Sequence, residues 1–215
     1  MSTKVAAHKQ VVRRRKIDQL SKIDKFAQRR AQLANSALRT LAELGYARTS
    51  LREIAQNSEF SHGVLHYYFR DKVDLITYCV RQYKATTINR YDQVLATSVT
   101  ADELRERFVG GMATSLERDT DMHRLWYDLR AQSMFEDSFR DDVREIQHSI
   151  ERMVGRVVCQ YAERAGLRLT VPPRMVYALV DGVFQHALLR YLAGEARTAA
   201  DLSTELGLIL DRVLE

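Results

Sequence analysis

Residues 61–72 read SHGVLHYYFRDK, and they carry the densest chemistry in the chain. His62 and His66 stand four apart, the spacing at which two imidazoles on one helix face can share a metal ion. Such a site needs further donors, and no nearby Cys, His or acidic motif supplies them. Cys79 and Cys159 are distant from each other and form no CxxC; they suggest reduced, buried thiols in a cytosolic protein rather than a disulfide scaffold. The other chemistry open to the stretch is contact with phosphates and base edges, from the end of a helix laid against nucleic acid. Histidine titrates near neutrality, so a pH effect on such binding is expected. A second group lies further on. Tyr83, Phe108, Met112, Trp126, Tyr127, Arg130, Met134, Phe135 and Phe184 fall on helices that could line a pocket, with LWYDLRAQSMF at 125–135 the richest run. Large aromatics with one cation suit an apolar ligand bearing an acid group; the bland reading, which weighs more for each residue singly, is ordinary core around a satisfied arginine. There is no GxSxG, P-loop, HExxH or Rossmann glycine pattern, and the carboxylates are scattered as on solvated faces. No enzyme, metal or cofactor is expected.

The elements that must position these groups are all helical. Only 2 prolines and 9 glycines occur in 215 residues, and few β-branched runs alternate with polar residues. From 25 to 44, Phe26, Leu33, Ala37, Leu38, Leu41 and Leu44 follow a 3.6 period, and Gly45 falls where a helix ends in a left-handed residue. Ser50 with Glu53 forms a capping box for a short helix near 51–57. After a break at 58–60, Ser61 can cap a second short helix over 62–68. Asp71 with Asp74 opens a long helix over 72–96. Further helices are read near 101–117, 121–136, 139–165, 173–193 and 198–213. Gly166 and Gly194 act as stops, Pro172 and Pro173 open the helix at 173–193, and Thr198 with Asp201 is read as the last cap. The apolar stretch 175–193 is interrupted by Asp181, His186 and Arg190, so it reads as a core or interface helix rather than a membrane span. The basic N-terminus has no apolar segment behind it and does not read as a signal peptide.

Charge divides the chain unevenly. The net +5 is made of 15 Lys/Arg against 6 Asp/Glu in residues 1–72, a balance of +9, and 18 against 22 thereafter, a balance of −4. A basic first third points to a polyanionic partner. Residues 1–24, with the tract VVRRRK, read as a basic arm. It either adds sequence-tolerant affinity along a nucleic-acid backbone or is a solvated tail.

Helix, short helix, tight break and short helix form a helix-turn-helix arrangement. Over 33–75 the chain resembles the DNA-binding domain of the TetR family of regulators. The likeness rests on Ala37, Leu41, Gly45-Tyr46, Thr49-Ser50, Ile54-Ala55, then Ser61, Gly63, Leu65, Tyr68 and Phe69, and finally Lys72 and Leu75. These positions match in register over about a fifth of the chain. The resemblance implies an all-α protein with a basic arm at 1–24, a three-helix DNA-binding head at 25–71, and a helical ligand-binding and dimerisation body at 72–215. It implies phosphate contacts from Thr49, Ser50 and Lys72, groove entry by Ser61, His62, Gly63 and Val64, and backbone or base contacts from His66 and Tyr67. It also implies a cytoplasmic homodimer on a palindromic double-stranded operator, paired through 173–193 and 198–213, and released by a small-molecule effector. The alternative is a dimeric DNA-binding protein without an effector, acting through protein partners. Two departures stand out. Glu59 occupies the turn where the family has glycine, and His62 and His66 replace a lysine and a tyrosine.

Overall fold

The computed structural model describes residues 24–38, 40, 41, 45 and 49–215. The arm expected at 1–24, apart from Asp24, lies outside the described residues, as do Leu44 and Tyr46. The described chain is helical, apart from connections and one antiparallel bridge between Leu169 and Leu214. Helix α1 covers 24–38 and 40–41. It is followed by α2 (Leu51–Gln56), α3 (His62–Tyr68), α4 (Lys72–Thr97), α5 (Ala101–Arg118), α6 (Thr120–Gln132), α7 (Asp137–Ala165), α8 (Pro173–Leu192) and α9 (Thr198–Arg212).

Local chemistry sets most of these limits. The Ser50 N–H donates to Glu53 Oε2 at 2.7 Å and the Glu53 N–H donates to Ser50 Oγ at 3.2 Å, so two orphan donors at the start of α2 are satisfied reciprocally. Asp71 and Thr100 cap α4 and α5, each accepting from a backbone N–H three residues on, while Asp74 and Glu103 accept in return from the N–H of the residue before the cap. Gly45, Gly166 and Gly194 have φ of 73°, 68° and 80°, the left-handed region that costs a side chain but not glycine. Two expectations are corrected. Thr198 is not the cap of α9: the cap position is Arg197, itself left-handed, and the buried Thr198 hydroxyl donates back to the Glu195 carbonyl. Helix α6 stops at Gln132 rather than 136; the Phe135 N–H turns back to the Gln132 carbonyl, and Met134 and Phe135 stand in solvent.

Packing produces two apolar cores. The second half of α4 joins α5, α7, α8 and α9 in one, through residues such as Tyr91, Phe108, Val154 and Leu206. The other gathers Leu33 and Leu41 of α1, Ile54 of α2, Leu65 of α3 and Ile76 of α4 with Leu125, Trp126 and Leu129 of α6. Burial of each such side chain contributes about 1.5–3 kcal/mol. The three-helix head is therefore seated on α6 as well as on α4. Among the described residues no helix is long and apolar enough to cross a membrane.

Candidate nucleic-acid interface and ligand cavity

Helix α3 is amphipathic over two turns. Ser61 Oγ accepts the Val64 N–H, Leu65 is wholly buried, and the cap residue Phe69 is buried beneath it. The opposite face presents Ser61, His62, Gly63, His66 and Tyr67 to solvent. Tyr67 is 73% exposed, an unusual position for a large aromatic in a helix that has a core available to it. The His62 and His66 rings meet edge to face at 4.4 Å. Among the described residues no cluster of three or more His, Cys, Asp or Glu surrounds them or any other point. A Cβ built on Gly63 would meet nothing within 4 Å, so the fold itself does not require glycine there.

Helix α1 fixes the orientation of α3. Phe26 packs against Tyr68 at 4.7 Å and Tyr67 at 6.1 Å. The Arg30 guanidinium lies over the rings of Phe69 and Tyr78 and pairs with Asp74 at 2.7 Å. Asp74 Oδ2 also accepts the Arg70 N–H at 3.1 Å. One half-buried carboxylate thus ties α1 and the α3–α4 connection to the start of α4. In the turn, Glu59 is exposed, and Arg197 is the sole non-glycine residue with positive φ among those described. The turn is held instead by Ser58, whose Oγ accepts the Phe60 N–H, and by burial of the Phe60 ring. No left-handed residue is needed at 59, which explains how glutamate replaces glycine.

Not every residue expected at DNA faces outward. Thr49 is 3% exposed and donates its hydroxyl to the Gly45 carbonyl at 2.6 Å, so it shapes the loop instead of offering a free hydroxyl. Val64 is half-buried and packs against the head core. Ser50 is exposed, and Lys72 is half-buried in the first turn of α4.

Within the body, α4 to α8 enclose a cavity of about 50 Å³, room for roughly three or four waters. Of the sequence candidates, Met112, Trp126, Tyr127 and Phe184 line it. The remaining candidates do not. Phe108 packs on Tyr91 in the core at 5.5 Å, because its face of α5 meets α4. Met134 and Phe135 lie beyond the end of α6, 70% and 82% exposed. Arg130 is engaged by Asp181 at 2.7 Å, and Asp181 also accepts the Tyr127 hydroxyl at 3.2 Å. Tyr83 sits behind the wall, donating to Asp119 Oδ2 at 3.1 Å.

The structure adds Lys84, His123, Tyr177 and Asp181 to the lining. Burial holds the His123 imidazole neutral, with its pKa down to about 3 and the nearby Lys84 charge adding to the effect. Its Nε2 lies 2.7 Å from Ser115 Oγ. Burial also lowers Lys84 to about 8, against the attraction of Asp181, so the ammonium is still charged at neutral pH. Sequence reasoning missed Lys84, although a signal existed. Ile76, Val80 and Lys84 follow one another at four-residue steps along the buried stripe of α4, where a lysine is out of place.

The chain matches the family model for bacterial regulatory proteins of the tetR family over residues 33–79. It is 25% identical over 194 residues to the HTH-type transcriptional regulator BetI of Burkholderia thailandensis, covering 82% of this chain and 90% of that one. It is 26% identical over 173 residues to BetI of Escherichia coli, covering 75% and 83%. Among solved structures, a transcriptional regulator of Saccharomonospora viridis in complex with choline superposes with a TM-score of 0.74 at 17% identity, over 88% of this chain and 99% of that one. The regulator FadR of Bacillus subtilis in complex with stearoyl-CoA does so with a TM-score of 0.68 at 16% identity, over 84% and 97%. These structural likenesses carry the fold. With a matching DNA-binding domain at the head and regulator relatives along most of its length, the chain belongs to the TetR family of transcriptional regulators.

Proposed function

We propose that the protein is a homodimeric repressor that reads a palindromic operator with α3 and leaves it when a small molecule fills the body cavity. The observation that carries the DNA reading is the outward face of α3. His62, Gly63, His66 and Tyr67 are exposed on a helix whose other face is anchored by Leu65 and Phe69. Tyr67 and the two imidazoles can donate and accept along base edges and phosphates, and Gly63 lets the helix backbone approach the groove closely. Residues 25–71 serve as head and 72–215 as body. DNA as partner implies action in the cytoplasm.

Two further features support the finer reading. Along α8, Met175, Leu179, Gly182, His186 and Leu189 form an exposed stripe at alternating steps of four and three, the spacing by which two helices interlock. Met175, Leu179 and Leu189 are each about half exposed in the single chain. A second copy of the same stripe, related by a two-fold axis, would cover it and match a two-fold operator. Helix α6 supports coupling, since His123, Trp126 and Tyr127 wall the cavity while Leu125 and Leu129 seat the head. A ligand that displaces α6 and α4 would change the separation of the two α3 helices. That lowers affinity only if the ligand prefers the form that does not bind DNA.

The test is binding of the full chain to fragments of its native upstream region at several salt concentrations. A His62→Ala/Tyr67→Ala variant and Gly63→Ala are compared with wild type. Wild type should bind one site selectively, and the double variant should lose roughly tenfold or more. Gly63→Ala should fold at least as well as wild type, because its Cβ meets nothing, yet bind more weakly. Binding that ignores sequence and all three substitutions would sink the assignment. The small size of the cavity favours the second reading, a dimeric DNA-binding protein without an effector. Release of operator by a ligand that occupies the cavity separates the two.

A further inference from the structure

The charge in the cavity does not balance. Asp181 is its one carboxylate, and that carboxylate is already shared by Arg130 at 2.7 Å and the Tyr127 hydroxyl. Asp119 lies outside the wall, bound to Arg118, Arg90 and the Tyr83 hydroxyl. Lys84, 8% exposed, makes no hydrogen bond and no salt bridge among the described residues. Its ammonium lies by the ring faces of Trp126 at 5.3 Å and Tyr83 at 5.4 Å, and the Asp181 carboxylate attracts it without pairing with it. Burial of an unpaired cation is expensive, and fold packing alone gives no reason for it. A second orphan belongs to a residue of the same wall: the Tyr177 hydroxyl is buried without a hydrogen-bond partner among the described residues. An ammonium and a phenol O–H are both donors. Together they lack one acceptor that carries a negative charge.

We propose that the effector is a small apolar monocarboxylate, whose carboxylate pairs with Lys84 and accepts from Tyr177 while its hydrocarbon end lies among Trp126, Met112, Val180 and Phe184. This rests on the reading of the cavity as the effector site. The acid supplies the missing charge, so ligand and lysine enter the apolar interior as a neutral pair. A quaternary ammonium would do the reverse and leave two uncompensated cations. The aromatic faces that would cage it are already taken, since Lys84 and Arg130 both lie over Trp126. A cavity of about 50 Å³ limits the hydrocarbon to a short chain, with the flexible Met112 and Met153 giving way at the margin.

Trp126 is the sole tryptophan in the sequence and lies on the wall, so intrinsic fluorescence reports occupancy without DNA. The full chain is titrated with butyrate, isovalerate, 3-methylbutanol and tetramethylammonium, as wild type, Lys84→Met and Tyr177→Phe. Saturable binding of an acid is expected, at least about tenfold weaker in Lys84→Met and a few-fold weaker in Tyr177→Phe. The neutral alcohol should be affected by neither. Tyr177→Phe keeps its shape and decides the matter should Lys84→Met misfold. Tighter binding of tetramethylammonium than of the acids overturns the proposal, as does acid binding indifferent to both substitutions. Failure of every acid to bind also overturns it, while operator binding measured on the same samples leaves the DNA reading intact. Acid binding without operator release supports the ligand class and removes its role as effector.

Discussion

At the scale of single residues, His123 and Lys84 show how burial decides chemistry that residue type leaves open. His123 is 5% exposed, accompanied by Ser115, Tyr83, Lys84 and Asp119. Its pKa falls from 6.5 to about 3 on folding, so between those values the unfolded chain binds a proton that the folded chain refuses. Stability must then fall as pH drops below 6.5. At 1.36 kcal/mol per pH unit the loss reaches about 2 kcal/mol by pH 5. Urea unfolding at pH 7.5 and pH 5 should show it in wild type and not in His123→Gln, whose amide can keep the contact with Ser115. An equal loss in both would place the acid sensitivity elsewhere. Lys84 was overlooked in favour of Arg130 because a cation beside aromatics is legible in sequence, whereas the partner that occupies it is not. Asp181, which claims Arg130, lies 51 residues away.

At the scale of elements, the short helices of the head depend on devices that act within four residues. The Ser50 box, the Ser61 and Asp71 caps and the Gly45 stop are visible in sequence for that reason. What aims α3 is longer in range. Arg30 of α1 reaches Asp74 of α4 across 44 positions, with both side chains mostly covered at 27% and 17% exposure. Asp74→Ala leaves that guanidinium unpaired above Phe69 and Tyr78 and frees the Arg70 N–H. The expected cost is about 2–4 kcal/mol, read as a lower denaturant midpoint. Arg30→Ala/Asp74→Ala should cost less than the two single changes added together. Strict additivity would mean that the pair does not join the two helices.

For the whole molecule, the exposed stripe on α8 and the two-sided seat of α6 carry the regulatory reading. Leu189 is 60% exposed in the single chain, so Leu189→Arg should change monomer stability by no more than about 0.5 kcal/mol. Across a two-fold interface it would oppose its own copy. Sedimentation of wild type should give a dimer and that of the variant a monomer with weakened operator binding. A variant that stays dimeric would move the interface to another face. The last connection before α8 is also settled at this scale. Residues 166–171 carry no strand signal, yet the Arg168 N–H donates to the Glu215 carbonyl and the Thr170 N–H to the Val213 carbonyl, closing the chain end onto the loop.

By itself the sequence determined the helices, their order and most of their ends. Each of these follows from periodicity, caps and glycines that act locally. It could also mark Met112, Trp126, Tyr127 and Phe184 as apolar residues facing inward. Only the tertiary structure decided that these four share a cavity while Phe108 fills the core and Met134 stands in solvent. It also decided that Arg130 is neutralised by Asp181 while Lys84 forms no salt bridge among the described residues. The physical reason is that a cavity is bounded by five helices at once. Its residues are far apart along the chain, and which of them stay unpaired depends on how faces meet, a property that no single helix encodes.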